Sequence, residues 1–285
     1  MIKRLCIVGV GLIGGSLARA LKAAGAVGEV VGYGRDAEQL QLARQLGVVD
    51  RYETDLAAAV RDADVVVVAV PVGAMAGVLG QLAPHLAPHT IVTDVGSTKS
   101  SVVKAATEVF GRLPATFVPG HPIAGTEKSG VAASFAELYR NRRVILTPLA
   151  HTDRAALETV RAMWQATGAE VVDMEVRHHD EVLAATSHLP HVLAYTLVDT
   201  LAQMEEHTEI FRFAAGGFRD FTRIASSDPR MWHDICLANR EAILKVMDRY
   251  ANDLAQLRGA IERGDGETIL ATFRRAKQAR DEFKQ

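Results

Sequence analysis

Gly9, Gly11 and Gly14 are spaced GxGxxG in the string GVGLIGGS, directly after an apolar run and at the mouth of a helical stretch that reaches towards Gly25. Each glycine has a use in that context. The first makes a tight turn, the second lets backbone approach a pyrophosphate, and the third lets helix and strand pack closely, while the helix N-terminus faces the anion. Gly9, Gly11, Leu12, Ile13 and Gly14 are therefore the candidates for holding a dinucleotide. An NAD site wants an acidic residue about 20 residues further on, at the end of the second strand, to hold the ribose hydroxyls. Here EVVGY runs into Gly34-Arg35-Asp36, so glycine stands where the acid is expected and a guanidinium follows it. Arg35 suits a 2′-phosphate by charge and by its planar donor fork, which favours NADP over NAD. The alternative is that Arg35 is a solvated turn residue and Asp36 takes the ribose. Val70 and Pro71 end the run VVVVAV and place a second turn over the same crevice.

The elements that must carry these turns are legible as pattern. Up to about residue 170, short β-branched runs (LCIVGV, VVGY, VVVVAV, TIVTDV, TFVPG, RVILTP, AEVVDM) alternate with helical stretches. Runs that are apolar throughout, rather than alternating, suit parallel strands covered on both faces. The expected fold is α/β: a Rossmann-type doubly wound sheet over 1–170, followed over 171–285 by an all-α domain, where strand signals stop and apolar residues recur at helical spacing.

Composition narrows the classes of function. The chain has 285 residues, 48% hydrophobic and 23% charged, with a formal net charge of -2 and no local cluster of Lys and Arg. Bulk attraction to nucleic acid or to an anionic membrane is not expected, so an anionic partner must be recognised by a few placed cations. Two distant cysteines, Cys6 and Cys236, make neither a disulfide framework nor a cysteine metal site, and no metal is expected. The glycine-rich start is unlike a signal peptide and no apolar run is long enough to span a bilayer, so a cytoplasmic protein is expected.

Four further strings carry polar chemistry: DVGSTKS (94–100), GHPIAGTEKSG (120–130), SHLPH (187–191) and GGFRDFTRIASSDPRMW (216–232). In order, spacing and wording they resemble the prephenate/arogenate dehydrogenase family over almost the whole chain. The resemblance implies oxidative decarboxylation of prephenate to 4-hydroxyphenylpyruvate, of arogenate to tyrosine, or of both, with hydride passing to NAD(P) in tyrosine biosynthesis. Prephenate stands slightly ahead as the commoner substrate. Rival readings are another small dehydrogenase, such as a 3-hydroxyacid dehydrogenase or imine reductase, and a non-catalytic sensor of the NADP redox state. The two long strings and the retained polar residues weigh against both.

The resemblance also implies roles. His121 matches the catalytic histidine, and an imidazole titrates near the working pH, which suits a group that takes the hydroxyl proton. A lone histidine at a strand end is otherwise usually structural. Ser97 falls in the loop placed beside the nicotinamide, where its hydroxyl can orient His121 or the substrate; it or Thr98 could also cap a helix starting near Lys99. Thr126 and Glu127 resemble active-site lining, Glu127 ordering a polar network or standing as a solvated glutamate. Arg223 matches the arginine that binds a substrate carboxylate; the alternative is an ion pair with Asp220 or Asp228. Asp220 near the side-chain end would favour the ammonium of arogenate. His191 matches a residue near the substrate, while His188 caps or packs and Pro190 kinks or begins the helix. Trp232 is expected to reach the active site from a neighbouring subunit, making the helical half the dimerisation domain of a homodimer. Many relatives carry a further regulatory domain; with the sequence ending at Gln285, an allosteric site of that kind is expected to be absent, which leaves tyrosine to compete at the active site.

Overall fold

The valine-rich runs are short because each crosses a sheet once and then leaves it for a helix. A computed structural model describes residues 1–282. Six strands, β1 (Ile2–Val8), β2 (Val27–Tyr33), β3 (Arg51–Glu53), β4 (Val65–Val68), β5 (Ile91–Asp94) and β6 (Phe117–Val118), form one sheet in the order β3-β2-β1-β4-β5-β6, every pair parallel. The chain winds outwards from β1 in both directions, so a crevice opens where β1 and β4 part at their carboxyl ends, the usual place for a ligand in such a sheet.

Alternation within each strand sends side chains to two separate cores. Leu5, Ile7, Val30, Val65 and Val67 pack with residues of α1 (Leu12–Ala23), α2 (Ala37–Gln45) and α6 (Arg154–Gln165). Cys6, Val8, Val31, Val66 and Val68 pack with α3 (Leu56–Val60), α4 (Met75–Leu82) and α5 (Lys99–Phe110). Both faces are thus covered, which is why the runs read as apolar throughout. Each fully buried Val, Leu or Ile contributes roughly 1.5–3 kcal/mol.

The last two runs depart from expectation. RVILTP and AEVVDM do not extend the parallel sheet; as β8 (Arg143–Leu146) and β9 (Glu170–Asp173) they join β7 (Gly120–Pro122) in a second, three-stranded sheet. In it β7 runs antiparallel to β8, and β8 parallel to β9. The reason lies in TFVPG, which Pro119 divides into β6 and β7. Proline has no N–H to continue a ladder, and the Pro119 carbonyl instead accepts from the Thr147 N–H at 2.9 Å. His121 is thereby carried off the main sheet.

After Asp173 every regular element among the described residues is helical: α7 (Val176–Leu183), a π turn at Ala184–His188, α8 (Leu189–Ala202), α9 (His207–Arg212), α10 (Gly216–Thr222), α11 (Pro229–Ala238), α12 (Arg240–Glu262) and α13 (Gly266–Glu282). Pro190 follows directly on the π turn, in a helical run unbroken from α7, where its missing N–H interrupts the ladder. The compact units divide at a different place from the change of pattern near 170: one runs from Met1 to Arg240 and a second begins at Glu241. In the second, Asp265 caps α13 through the Thr268 N–H at 3.0 Å, and Leu254, Ile261, Leu270 and Phe273 are exposed. Among the described residues no helix is long and apolar enough to cross a membrane.

Candidate active site

The glycine turn has the shape a pyrophosphate needs. Gly9 has φ +99°, and a Cβ there would stand 2.4 Å from the Ala69 carbonyl oxygen, so only glycine fits. At Gly14 a Cβ would meet the Gly9 carbonyl at 2.4 Å and Ile7 at 2.7 Å, which is the close packing of helix on strand. Gly11, by contrast, faces open space. It precedes α1, which has neither a side-chain cap nor an acid in its first turn. The first N–H groups of that helix therefore lack an intrahelical partner and present partial positive charge. The buried Tyr139 hydroxyl donates to the Ile13 carbonyl at 2.6 Å and holds the turn from behind. Val70 lies against Gly9, while Pro71 is exposed at the start of the next turn. These features fit a dinucleotide.

At the end of β2, Arg35 is exposed. Asp36 is the N-cap of α2, its Oδ1 accepting from Glu38 N at 3.0 Å and Gln39 N at 3.1 Å. One oxygen of the acid offered as the ribose ligand is thus already occupied by its own helix.

The histidine expected to carry the chemistry lies at the carboxyl end of β5, in a cluster drawn from four elements. His121, on β7, is 8% exposed. The residue before it is gripped by a buried ion pair: Lys99 Nζ donates to Asp94 and, at 2.6 Å, to the Gly120 carbonyl, while Asp94 Oδ1 accepts from the Gly120 N–H at 3.1 Å. Both Lys99 and Asp94 are wholly buried. Burial pulls the Lys99 ammonium below its ordinary value, with Asp94 opposing. His121 Nδ1 then lies 2.9 Å from Nε2 of His179, and His179 Nδ1 lies 2.9 Å from Oδ1 of Asp180. No residue described here hydrogen-bonds to His121 Nε2. Burial, aided by His179, Lys99 and His188, holds His121 well below the ordinary histidine value. Burial pushes Asp180 upward, but His179, Ser100 and Lys99 outweigh it and keep the carboxyl low.

Asp180 also replaces the cap expected before α5. Thr98 is the N-cap residue but makes no capping bond; the free N–H groups of Lys99 and Ser100 donate to Asp180 Oδ1 and Oδ2 at 2.7 and 2.8 Å. The two oxygens of an ionised carboxylate take one N–H each, and the charge strengthens both bonds. Ser97 is half-buried in the same turn and makes no hydrogen bond among the described residues; the ring partner of His121 is His179. The Asp180 carbonyl accepts from Asn239 Nδ2 at 2.9 Å, and the same amide group lies 3.1 Å from His188 Nδ1. His188 therefore packs rather than caps, and burial takes its pKa down to about 4.

Arg223 pairs with neither acid of the ion-pair alternative, Asp220 or Asp228. It pairs with Glu127, which its own backbone N–H and Arg223 hold below the ordinary carboxylate range. Asp228 is instead spent as the N-cap of α11, and Asp220 is exposed on α10. Arg223 is 64% exposed at the side chain, and Thr126, exposed beside Glu127, accepts from the Lys128 N–H at 3.2 Å. His191 donates through Nδ1 to the Ser187 carbonyl at 2.8 Å and stacks on Trp232, centroids 3.6 Å apart and planes 19° apart. Trp232, on the Asp228-capped α11, is 8% exposed and packs on α8 within its own chain. Its indole Nε1 is buried without a partner.

His179, Asp180, Asp94 and Asn239 are the residues that pattern reasoning missed. Asp94 and Lys99 lay inside a string already singled out, whereas nothing in RHHDE marks His179 and Asp180 as partners of a strand residue so far away. Among the described residues no cluster of His, Cys, Asp or Glu could hold a metal.

The family description "Prephenate dehydrogenase, nucleotide-binding domain" matches residues 17–173, and "Prephenate dehydrogenase, dimerization domain" matches 175–275. The cyclohexadienyl dehydrogenase of Zymomonas mobilis subsp. mobilis is 44% identical over 98% of this chain and 95% of its own. The prephenate dehydrogenase of Bacillus subtilis is 40% identical over 97% of this chain and 75% of its own. Among solved structures, prephenate dehydrogenase from A. aeolicus in complex with hydroxyphenyl propionate and NAD+ superposes with a TM-score of 0.93 at 38% identity, covering 100% of this chain and 99% of that one.

Proposed function

The chain belongs to the prephenate dehydrogenase family, and from that premise we propose how its residues divide the work. It is an NAD(P)-dependent dehydrogenase of tyrosine biosynthesis. The reaction oxidatively decarboxylates prephenate or arogenate, with prephenate preferred. The observation that carries the assignment of roles is His121, a buried imidazole that burial keeps neutral, set beside the carboxyl end of β5, at the same end of the strands as the glycine turn after β1.

Gly9, Gly11, Leu12, Ile13 and Gly14, with Val70 and Pro71, hold the dinucleotide. A nicotinamide held there would supply the hydride acceptor for the ring carbon that bears the hydroxyl. His121 takes the hydroxyl proton; the ring carboxylate leaves as carbon dioxide, and aromatisation supplies the driving force. Proton transfer to a positioned base of this kind contributes typically 10²–10⁴-fold. Arg223 takes a substrate carboxylate in exchange for Glu127, and its fork makes such a pair bidentate and oriented. His191, Trp232 and Thr126 line the substrate, Ser97 orients it, and Asp220 lies towards the side-chain end. Arg35, exposed next to a capping Asp36, favours NADP.

Residues 1–170 are the dinucleotide-binding part and 171–285 the substrate-binding and dimerisation part. The exposed apolar residues of α12 and α13 support a homodimer. The two free cysteines suit a reducing cytoplasm. Initial rates with prephenate and arogenate, each against NAD and NADP, test the reading. Fastest turnover with prephenate and NADP is expected; no turnover in any combination would sink it.

A further inference from the structure

A neutral imidazole can take a proton on only one nitrogen, and the cluster beneath His121 decides which. The polarity of the chain of hydrogen bonds follows from its charged end. Asp180 is held by the Lys99 and Ser100 N–H groups, one on each oxygen, so it cannot turn away from either. As an anion it only accepts, so His179 must donate to it through Nδ1. A neutral imidazole that donates from Nδ1 has a bare lone pair at Nε2. That lone pair faces Nδ1 of His121, which must then carry the hydrogen. The remaining nitrogen, Nε2 of His121, is the free lone pair, and no described residue competes for it.

We infer that His179 and Asp180 are positioning residues that lock His121 in its Nδ1–H tautomer and so present Nε2 as the acceptor of the substrate's hydroxyl proton. The inference rests on the proposed role of His121. In the step itself the O–H bond breaks, its electron pair stays on oxygen, and a new N–H bond forms at Nε2. His121 becomes an imidazolium that still donates to His179, while His179 stays neutral and donates to the Asp180 anion. The geometry has the logic by which a buried carboxylate holds a catalytic imidazole in one tautomer, lengthened by a second ring. Asn239, donating to the Asp180 carbonyl, fixes the backbone at the far end. The charged and titratable groups packed around His121 are Lys99 of α5 and Asp94 of β5, His179 and Asp180 of α7, and His188 of the π turn. Burial lowers both His121 and His179, so the neutral forms that the argument needs are the ones present.

The test is the ring-nitrogen spectrum of ¹⁵N-histidine-labelled protein, read with steady-state rates for wild type, His179→Phe and His179→Gln. In the wild type, His121 should show a protonated Nδ1 and a bare Nε2. His179→Phe removes the acceptor; loss of that single tautomer is expected, with kcat down about 100-fold and KM nearly unchanged. His179→Gln can turn its amide oxygen to His121 and its nitrogen to Asp180, and should restore the tautomer together with most of kcat. A wild-type His121 protonated at Nε2 overturns the inference. So does a Gln variant as slow as the Phe variant while both keep Nδ1–H. If the Phe variant does not fold, the wild-type spectrum and the Gln variant decide. A wild type with the expected tautomer but no turnover with either acid would leave the lock standing and remove the proposed reaction instead.

Discussion

Two ionic arrangements in this protein use the same kinds of side chain in opposite surroundings. Beneath His121, Lys99, Asp94, His179 and Asp180 are almost wholly buried, and each is held by two or more polar neighbours. Glu127 and Arg223 instead meet near the surface, in segments with few other bonds, and the arginine is 64% exposed. A buried pair is costly to open because each partner would be left uncompensated in a low dielectric. An exposed pair is worth little and exchanges readily. The fixed arrangement suits the histidine proposed as base, and the exchangeable one suits the arginine proposed to release its partner for a carboxylate.

The largest effect should come from the buried side. His121→Asn should lower kcat by about 10²–10⁴-fold while the dissociation constant for the nucleotide, read by fluorescence quenching, stays put. Lys99→Met, which strands Asp94, should cost roughly 3–5 kcal/mol of stability, visible as a lowered denaturant midpoint. If it cost nothing, the contrast between the two arrangements would collapse.

On the exposed side, Arg223→Ala should leave stability unchanged and raise KM roughly 10- to 100-fold, the value of a charge-assisted hydrogen-bonded contact. Glu127→Gln should leave the denaturant midpoint where it is. A large loss of stability in either variant would mean that the exposed pair is structural after all.

pH should separate the regions more gently. His121, His179 and His188 all sit below the ordinary histidine value when folded, His188 at about 4. Near pH 7 and above they are neutral in both states and contribute nothing. As pH falls below about 6.5 the unfolded chain binds protons that the folded one does not, so stability declines until the folded pKa values are reached. The melting temperature should therefore be lower at pH 5 than at pH 7, while the acid limb of kcat/KM should fall below the ordinary histidine range. Least of all, Arg35→Ala should raise KM for NADP by roughly tenfold and leave that for NAD unchanged.

How far the sequence could be followed depended on how local each feature is. The glycine turn, its strand and its helix are contiguous, so their pattern showed the turn and its use together. β8 and β9 were legible as strands but not as members of another sheet, because that depends on Pro119 ending one ladder and on the partner β7 then finds. Ser97 and Thr98 stood in the right place to cap α5, yet the cap comes from Asp180, 81 residues beyond Lys99.

The sequence by itself determined which groups are present and where the regular elements start and stop: β-branched runs, glycines of special backbone geometry and the strings around His121 and Arg223 act over a few residues at a time. Only the tertiary structure decided which nitrogen of His121 is free, since His179 meets it across 58 residues, and which acid meets Arg223, since Glu127 is 96 residues away while Asp220 and Asp228 are near in sequence. Those outcomes depend on how separately formed strands and helices stack, because a hydrogen bond is set by distance and angle in space.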